Sequence, residues 1–299
     1  MASLAHQLFS QIETHVSSEL LLRDVHRRPV YQFYRYFSNG ADCSLIGFTG
    51  LHCASAFGIA EIATSLMNEQ NCNPNKRGPL GITPLILAAI CGQEEAAKLL
   101  LERQAVNPDK PDCEYRRTAL SWAAMMGHER IVRLLLQWAS ATPDGTDGWW
   151  GKTPRLVKKV RGRRYVNPNW SDKYCQTPIH LAAGEGHEGV VKLLLGRKDV
   201  KPDMFDDDGQ TPLSWAAYRG RDRVVELLLG REGVNPDAPD KGGRTPLSWA
   251  AGISDGGGVE ATKLLLGREG VNPDQCSQPS RPDARALASY SPVRPGQGG

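Results

Sequence analysis

The first pattern along the chain is an apolar beat of four. Leu4, Leu8, Ile12, Val16 and Leu20 recur every four residues in "MASLAHQLFSQIETHVSSELLLRDV", which predicts an amphipathic helix. A longer rhythm follows, whose text is "TPLSWAA…G…VVxLLL…VNPD". Its first part predicts a short helix with a narrow packing face of Leu and paired Ala. Thr caps that helix by accepting a backbone N–H, and Pro suits the first turn, where its missing N–H is not needed. Gly then stands nine residues after the Thr, at Gly58, Gly92, Gly127, Gly162, Gly186 and Gly220, and marks the turn out of the helix. A second helix carries a leucine triplet, as in Leu99-Leu100-Leu101 and Leu193-Leu194-Leu195. An Asn-Pro-Asp loop ends it, and a polar hairpin leads to the next Thr.

Two markers keep this beat. Thr-Pro or a close variant falls at Thr49, Thr83, Thr118, Thr153, Thr177, Thr211 and Thr245, in steps of 34, 35, 35, 24, 34 and 34. The loop proline falls at Pro74, Pro108, Pro143, Pro168, Pro202, Pro236 and Pro273. The expected fold is an all-α repeat, a solenoid of about seven units joined by short hairpin loops. This text resembles the ankyrin repeat, whose signature is Thr-Pro-Leu-His-x-Ala in a hairpin and two helices of about 33 residues. The likeness covers roughly Ala41 to Asp274; His52 and His180 keep the signature His, while Ser121, Ser214 and Ser248 replace it. The variant "TPLSWAA…VNPD", and the segment "SSELLLRDVHRRPVYQFYRYF", are similar to the ankyrin arrays of fungal NACHT-type, NOD-like receptor proteins. That likeness implies a sensor part without its nucleotide-binding domain.

The fourth repeat departs from the rest. Only 14 residues separate Thr153 from Asn167, against 24 in its neighbours, and Gly162 keeps its place, so the second helix is what is missing. Three absent leucines at about 1.5–3 kcal/mol each remove about 5–9 kcal/mol of burial. Arg155 also stands where other copies hold Leu or Ile. The expectation is two blocks of three repeats and a deformable joint at 153–170; the alternative is a defect of the gene. The domains read as an N-terminal helical capping or linker segment at 1–40, a repeat domain at 41–274, and a disordered tail at 275–299. Repeat seven gains a glycine triplet in "GISDGGGVEA", and nothing polar covers Leu264, Leu265 and Leu266, which suggests a truncated array or a partner-covered end.

Composition changes little. The 299 residues carry a formal net charge of +3, so a nucleic-acid or membrane partner is not announced globally. Seven scattered cysteines lack any Cys-x-x-Cys pair, which disfavours zinc and disulfides. No apolar run is long enough to span a membrane and no signal peptide opens the chain, so the expected place is the cytoplasm, with the nucleus as an option. No cofactor, metal or nucleotide is expected. "GTDGWWGKTP" imitates a phosphate-binding loop, but Thr146 stands where that motif needs Gly, and Trp149 and Trp150 fill its centre. "DDDGQ" lacks the closing Glu of a calcium loop. No catalytic set emerges, so the expected function is a non-enzymatic protein-binding scaffold.

Candidate contacts lie at the hairpin tips, through which ankyrin proteins bind partners, together with the adjacent concave helix face. Tips need not pack, so large apolar residues there stand out: Tyr115, Trp149, Trp150, Trp170, Tyr174, Met204 and Phe205. Packing between neighbouring fingers is the alternative for each. Trp122, Trp215 and Trp249 recur in one slot and read as inter-repeat packing. The basic run Lys152, Arg155, Lys158, Lys159, Arg161, Arg163 and Arg164 contains no acid. It could bind nucleic acid or a phosphorylated ligand, serve as a nuclear import signal, or be a solvated face.

Overall fold

A computed structural model describes residues 48–69, 72–103, 105–139, 166–252 and 258–273. The helix expected in 1–40 and the tail from 275 lie outside the described residues. Twelve α-helices occur among those described, in six helix–turn–helix pairs: α1 (Gly50–Phe57) with α2 (Ala60–Met67), α3 (Pro84–Cys91) with α4 (Glu94–Glu102), α5 (Ala119–Met126) with α6 (Glu129–Ala139), α7 (Pro178–Glu185) with α8 (Glu188–Leu195), α9 (Pro212–Tyr218) with α10 (Asp222–Leu229), and α11 (Pro246–Ala251) with α12 (Val259–Leu266). A 3₁₀ turn at Pro79–Gly81 precedes α3. No strand occurs among the described residues.

The caps follow the sequence. Thr83, Thr118, Thr211 and Thr245 accept the N–H of the residue three further on, Ile86, Ser121, Ser214 and Ser248. Where His holds that place the cap is reciprocal. His52 Nδ1 accepts the Thr49 N–H at 3.1 Å, and His180 Nδ1 accepts that of Thr177 at 3.2 Å. The opposite nitrogen, Nε2, donates into the next hairpin, to Ile82 O at 3.1 Å and Gln210 O at 3.2 Å. One ring therefore fixes a helix start and a neighbouring repeat together.

Packing is layered by repeat. First helices stack on first helices, and second helices on second helices. Ala88, Ala123, Ala182 and Ala216 are fully buried where first helices meet, as are Leu100, Leu135, Leu194, Leu228 and Leu265 beneath the second helices. A side chain just before four of the six second helices, α4, α6, α8 and α10, ties each to the preceding pair. Gln93 Nε2 donates to Ala56 O (3.1 Å), His128 Nε2 to Ile90 O (3.0 Å), His187 Nε2 to Met125 O (2.9 Å) and Arg221 Nε to Gly184 O (3.2 Å). Gly127 lets His187 in: its φ is +74°, and a Cβ there would lie 2.6 Å from His187 Nδ1.

That ladder corrects the reading of the fourth repeat. Its rungs span 37, 38, 62 and 37 residues, so His187 reaches back to α5 across one repeat and a surplus. α7 lies against α5 as α5 lies against α3, and α8 lies against α6. No further helix pair stands between them among the described residues. Thr118 to Thr177 is 59 residues, 25 more than the usual step of 34. Asn167 N–H bonds the Asp109 carboxylate at 3.0 and 3.2 Å, so the loop at Val166-Asn167-Pro168 closes the third pair. Thr142-Pro143 and Thr153, read as further markers, fall in 140–165, outside the described residues. Proline spacing alone could not tell which copy of the loop joins the stack; the Asn167 hydrogen bond does. Most of the expected joint at 153–170 falls in 140–165, outside the described residues.

Candidate protein-interaction surface

Four of the five described hairpin tips are built on one aspartate each; the first, before Thr83, has none. Asp172, Asp206 and Asp240 stand five residues before a cap threonine, and Asp112 six before. In each, Oδ1 accepts backbone N–H groups of its own turn: Tyr174 and Gln176 (both 2.9 Å), Asp208 (3.0 Å) and Gln210 (2.8 Å), Gly242 (2.8 Å) and Arg244 (2.9 Å). Asp112 does the same for Tyr115 (2.6 Å) and Arg116 (3.1 Å). Charge-assisted bonds of this kind fix the turn without using tip side chains. Neighbouring tips are joined main chain to main chain, through Cys113 N–H to Leu80 O (2.7 Å), Lys173 to Tyr115 (2.8 Å), Asp207 to Tyr174 (3.0 Å) and Lys241 to Asp208 (3.0 Å).

The second carboxylate oxygen explains the recurrent tryptophans. Trp122, Trp215 and Trp249 Nε1 donate to Oδ2 of Asp112, Asp206 and Asp240 at 2.8, 2.7 and 3.2 Å. The slot read as packing alone is also a hydrogen-bonding slot. α7 carries Leu181 there, and Asp172 takes a different donor. Arg117, fully buried, reaches from the preceding hairpin and bonds Asp172 Oδ2 through Nε at 2.9 Å. Its guanidinium also lies 5.0 Å from the Tyr115 ring centroid and 5.3 Å from that of Trp122. Burial raises the Asp172 carboxyl above its ordinary range, with Arg117 opposing.

The aromatic candidates separate on this frame. Tyr115 is half-buried, edge-on to Trp122 at 6.0 Å, with the Lys173 ammonium 4.5 Å from its ring. The same ammonium lies 5.1 Å from the Tyr174 ring. Trp170 Nε1 donates to Arg116 O at 2.8 Å. Tyr115, Trp170 and Tyr174 thus gather around two adjoining fingers. Met204 is half-buried, while Phe205 is 52% exposed beside exposed Asp207 and Asp208. Trp149, Trp150 and the basic residues Lys152, Arg155, Lys158, Lys159, Arg161, Arg163 and Arg164 lie outside the described residues. Sequence reasoning missed Leu80, 40% exposed on the first finger, and the four aspartates. An Asp five or six residues before the cap Thr was the available signal.

A family model described as "Ankyrin repeats (3 copies)" matches residues 35–147, 151–240 and 179–276, more than half of the chain. The chain belongs to the ankyrin-repeat family. Ankyrin repeats generally serve as scaffolds for protein–protein interaction. An ankyrin repeat domain from Acinetobacter baumannii AYE is 25% identical, with a TM-score of 0.55, covering 72% of this chain and 95% of that one. The ankyrin repeat domain of Bcl-3, described as a unique member of the IkappaB family, is 25% identical, with a TM-score of 0.56, covering 74% and 84%. No curated protein matches the chain. The resemblance to NACHT-type receptors is not among these findings.

The ankyrin frame holds its ionisable groups for structure. Burial lowers His52 and His180 to about 4, so both imidazoles are neutral. Burial pushes the Cys53 thiol up to about 11 and Cys91 to about 12, which removes thiolate character. Among the described residues no group of His, Cys, Asp or Glu is placed to hold a metal ion. No helix among them is long and apolar enough to cross a membrane.

Proposed function

We propose that this ankyrin array is a non-enzymatic scaffold that binds a protein partner through its hairpin tips and the adjoining first-helix face. One observation carries the reading. The last four described tips are each locked through backbone N–H groups to a buried aspartate and joined to a neighbouring tip, yet Phe205 projects from this fixed row, exposed beside Asp207 and Asp208. A preorganised aromatic with a charged rim loses little freedom on binding, which suits an anchor. The partner surface that fits offers an apolar pocket edged by basic groups. The likeness of "TPLSWAA…VNPD" to NACHT-type receptor arrays supports a sensor role in a cytoplasmic or nuclear setting.

The test is affinity capture with wild type beside Phe205→Ala, with Trp149→Ala/Trp150→Ala as a second variant. Phe205→Ala should fold normally and lose the captured protein at least tenfold. A third variant neutralises Lys158, Lys159, Arg161, Arg163 and Arg164. Salt-sensitive nucleic-acid binding that only this third variant loses would favour the basic run instead. Capture unchanged in all three would refute the fingertip reading.

A further inference from the structure

The loops that close successive pairs are joined by a second ladder. Asn75, Asp109, Asn169, Asp203 and Asp237 each accept, through a side-chain oxygen, the N–H of the residue opening the next loop: Asn107, Asn167, Lys201, Asn235 and Asn272. The asparagines also donate. Asn75 Nδ2 bonds Ala105 O, and Asn169 Nδ2 bonds Asp199 O at 2.6 Å. A carboxylate has no such donor. Asp203 Oδ1 is buried without a hydrogen-bond partner, and so is Asp237 Oδ1. Ala105 and Asp199 stand two residues before the N–H donor of their rung; the same register places Gly233 before Asn235. In that register Asp203 supplies a second carboxylate oxygen, buried and unpartnered, in place of the amide donor that two other rungs aim at a carbonyl.

We propose that Asp203 is a proton-binding rung: its carboxyl is held neutral in the native stack, its O–H replaces the asparagine N–H, and ionisation loosens the contact between the fourth and fifth pairs. The surroundings support this. Burial pushes the Asp203 carboxyl above its ordinary range, with only the Asn235 N–H opposing. Asp109, an acidic rung that accepts the Asn167 N–H, is likewise pushed up, to about 7, by burial. Among the described residues no ion pair reaches Asp203. Arg197 is paired with Asp199 at 2.7 Å, Arg231 bonds the Arg197 carbonyl at 3.5 Å, and Lys198, Lys201 and Glu232 are exposed.

The sign follows from linkage. A carboxyl raised above its unfolded value contributes its stability below that value and loses it as pH rises through the raised one. His52 and His180 titrate in the opposite sense, so the readout is the difference between variant and wild type at each pH. Urea denaturation of wild type and Asp203→Asn at pH 7.5 and pH 4.5 tests the rung. The Asn variant should have the higher midpoint at pH 7.5, and the gap should close at pH 4.5. Asp206→Asn makes the same chemical change at a carboxylate that already receives three N–H donors, and should lower the midpoint at both pH values. Asp203→Asn equal to or below wild type at pH 7.5, a gap unchanged with pH, or a gain in Asp206→Asn as well would each overturn the proposal.

Discussion

Arg117 is the place to test how the stack crosses from the third pair to the fourth. It is wholly buried, and its Nε bonds the equally buried Asp172 Oδ2 at 2.9 Å. Its other nitrogens reach Met125 Sδ at 3.1 Å and Gln176 Oε1 at 3.5 Å. Arg117→Ala strands a carboxylate oxygen in the interior. Removing one member of a buried pair costs about 3–5 kcal/mol. Asp172 Oδ1 keeps its two N–H donors, which places the expected loss near the lower end, about 3 kcal/mol. Urea denaturation followed by helical circular dichroism at pH 7.5 measures it. Because burial already raises Asp172, losing Arg117 raises it further, and the loss should shrink as pH falls and the carboxyl protonates. A rescue separates the hydrogen bond from plain packing. Leu181 occupies the slot of Trp122, Trp215 and Trp249, and it lines an open cleft with Gly184, Met125, Trp215 and Arg219. Leu181→Trp in the Arg117→Ala background supplies the indole donor that the other three aspartates have, and should recover about 1–2 kcal/mol. A loss under about 1 kcal/mol for Arg117→Ala, or no recovery in the double variant, would refute the argument.

Deleting residues 141–165 brings Val166 to the position that Val106 holds in the preceding repeat. The connection between Ala139 and Val166 falls from 26 residues to one, between four and five doublings at about 0.6 kcal/mol each, so stability should rise by up to about 3 kcal/mol in the same urea assay; a fall of more than about 1 kcal/mol would show that the segment packs as a repeat. His180→Ser installs the residue that α5, α9 and α11 use at this place. The folded histidine stays neutral down to about 4, while the unfolded one takes up a proton near 6.5. Wild type should therefore lose up to about 3 kcal/mol between those pH values that the Ser variant does not, and equal slopes in the two proteins would contradict the assignment.

Much of the solenoid was legible because its signals are local. Thr caps, αL glycines and leucine triplets act within one helix, so each was readable from a few residues. The error at the fourth repeat came from treating two local markers as proof of a stacking unit. Pro143 and Thr153 match the beat, but stacking is decided by partners 58 to 62 residues away, such as Asn167 with Asp109 and His187 with Met125. The candidate site was half legible. The exposure of Phe205 was legible because bulk at a turn needs no partner information. Tyr115 and Tyr174 could not be told from binding anchors, since the Lys173 ammonium that engages both rings arrives from a different finger for Tyr115.

The aspartate caps suggest why this fold presents variable tips on an unvarying frame. Each carboxylate bonds backbone N–H groups two and four residues on in the last three hairpins. The hairpin therefore asks only for an Asp and leaves the intervening side chains unspecified. The residues following the Asp are Lys173 and Tyr174 in one finger, Asp207 and Asp208 in the next, Lys241 and Gly242 in the last. Charge reverses from finger to finger while the main-chain bonds between them are kept. The third oxygen contact, from Trp or from Arg117, faces inward and fixes the finger to its own stack. Tip residues can then change at little cost in folding stability, while substitution of the Asp or its indole partner would move every tip side chain of that finger at once.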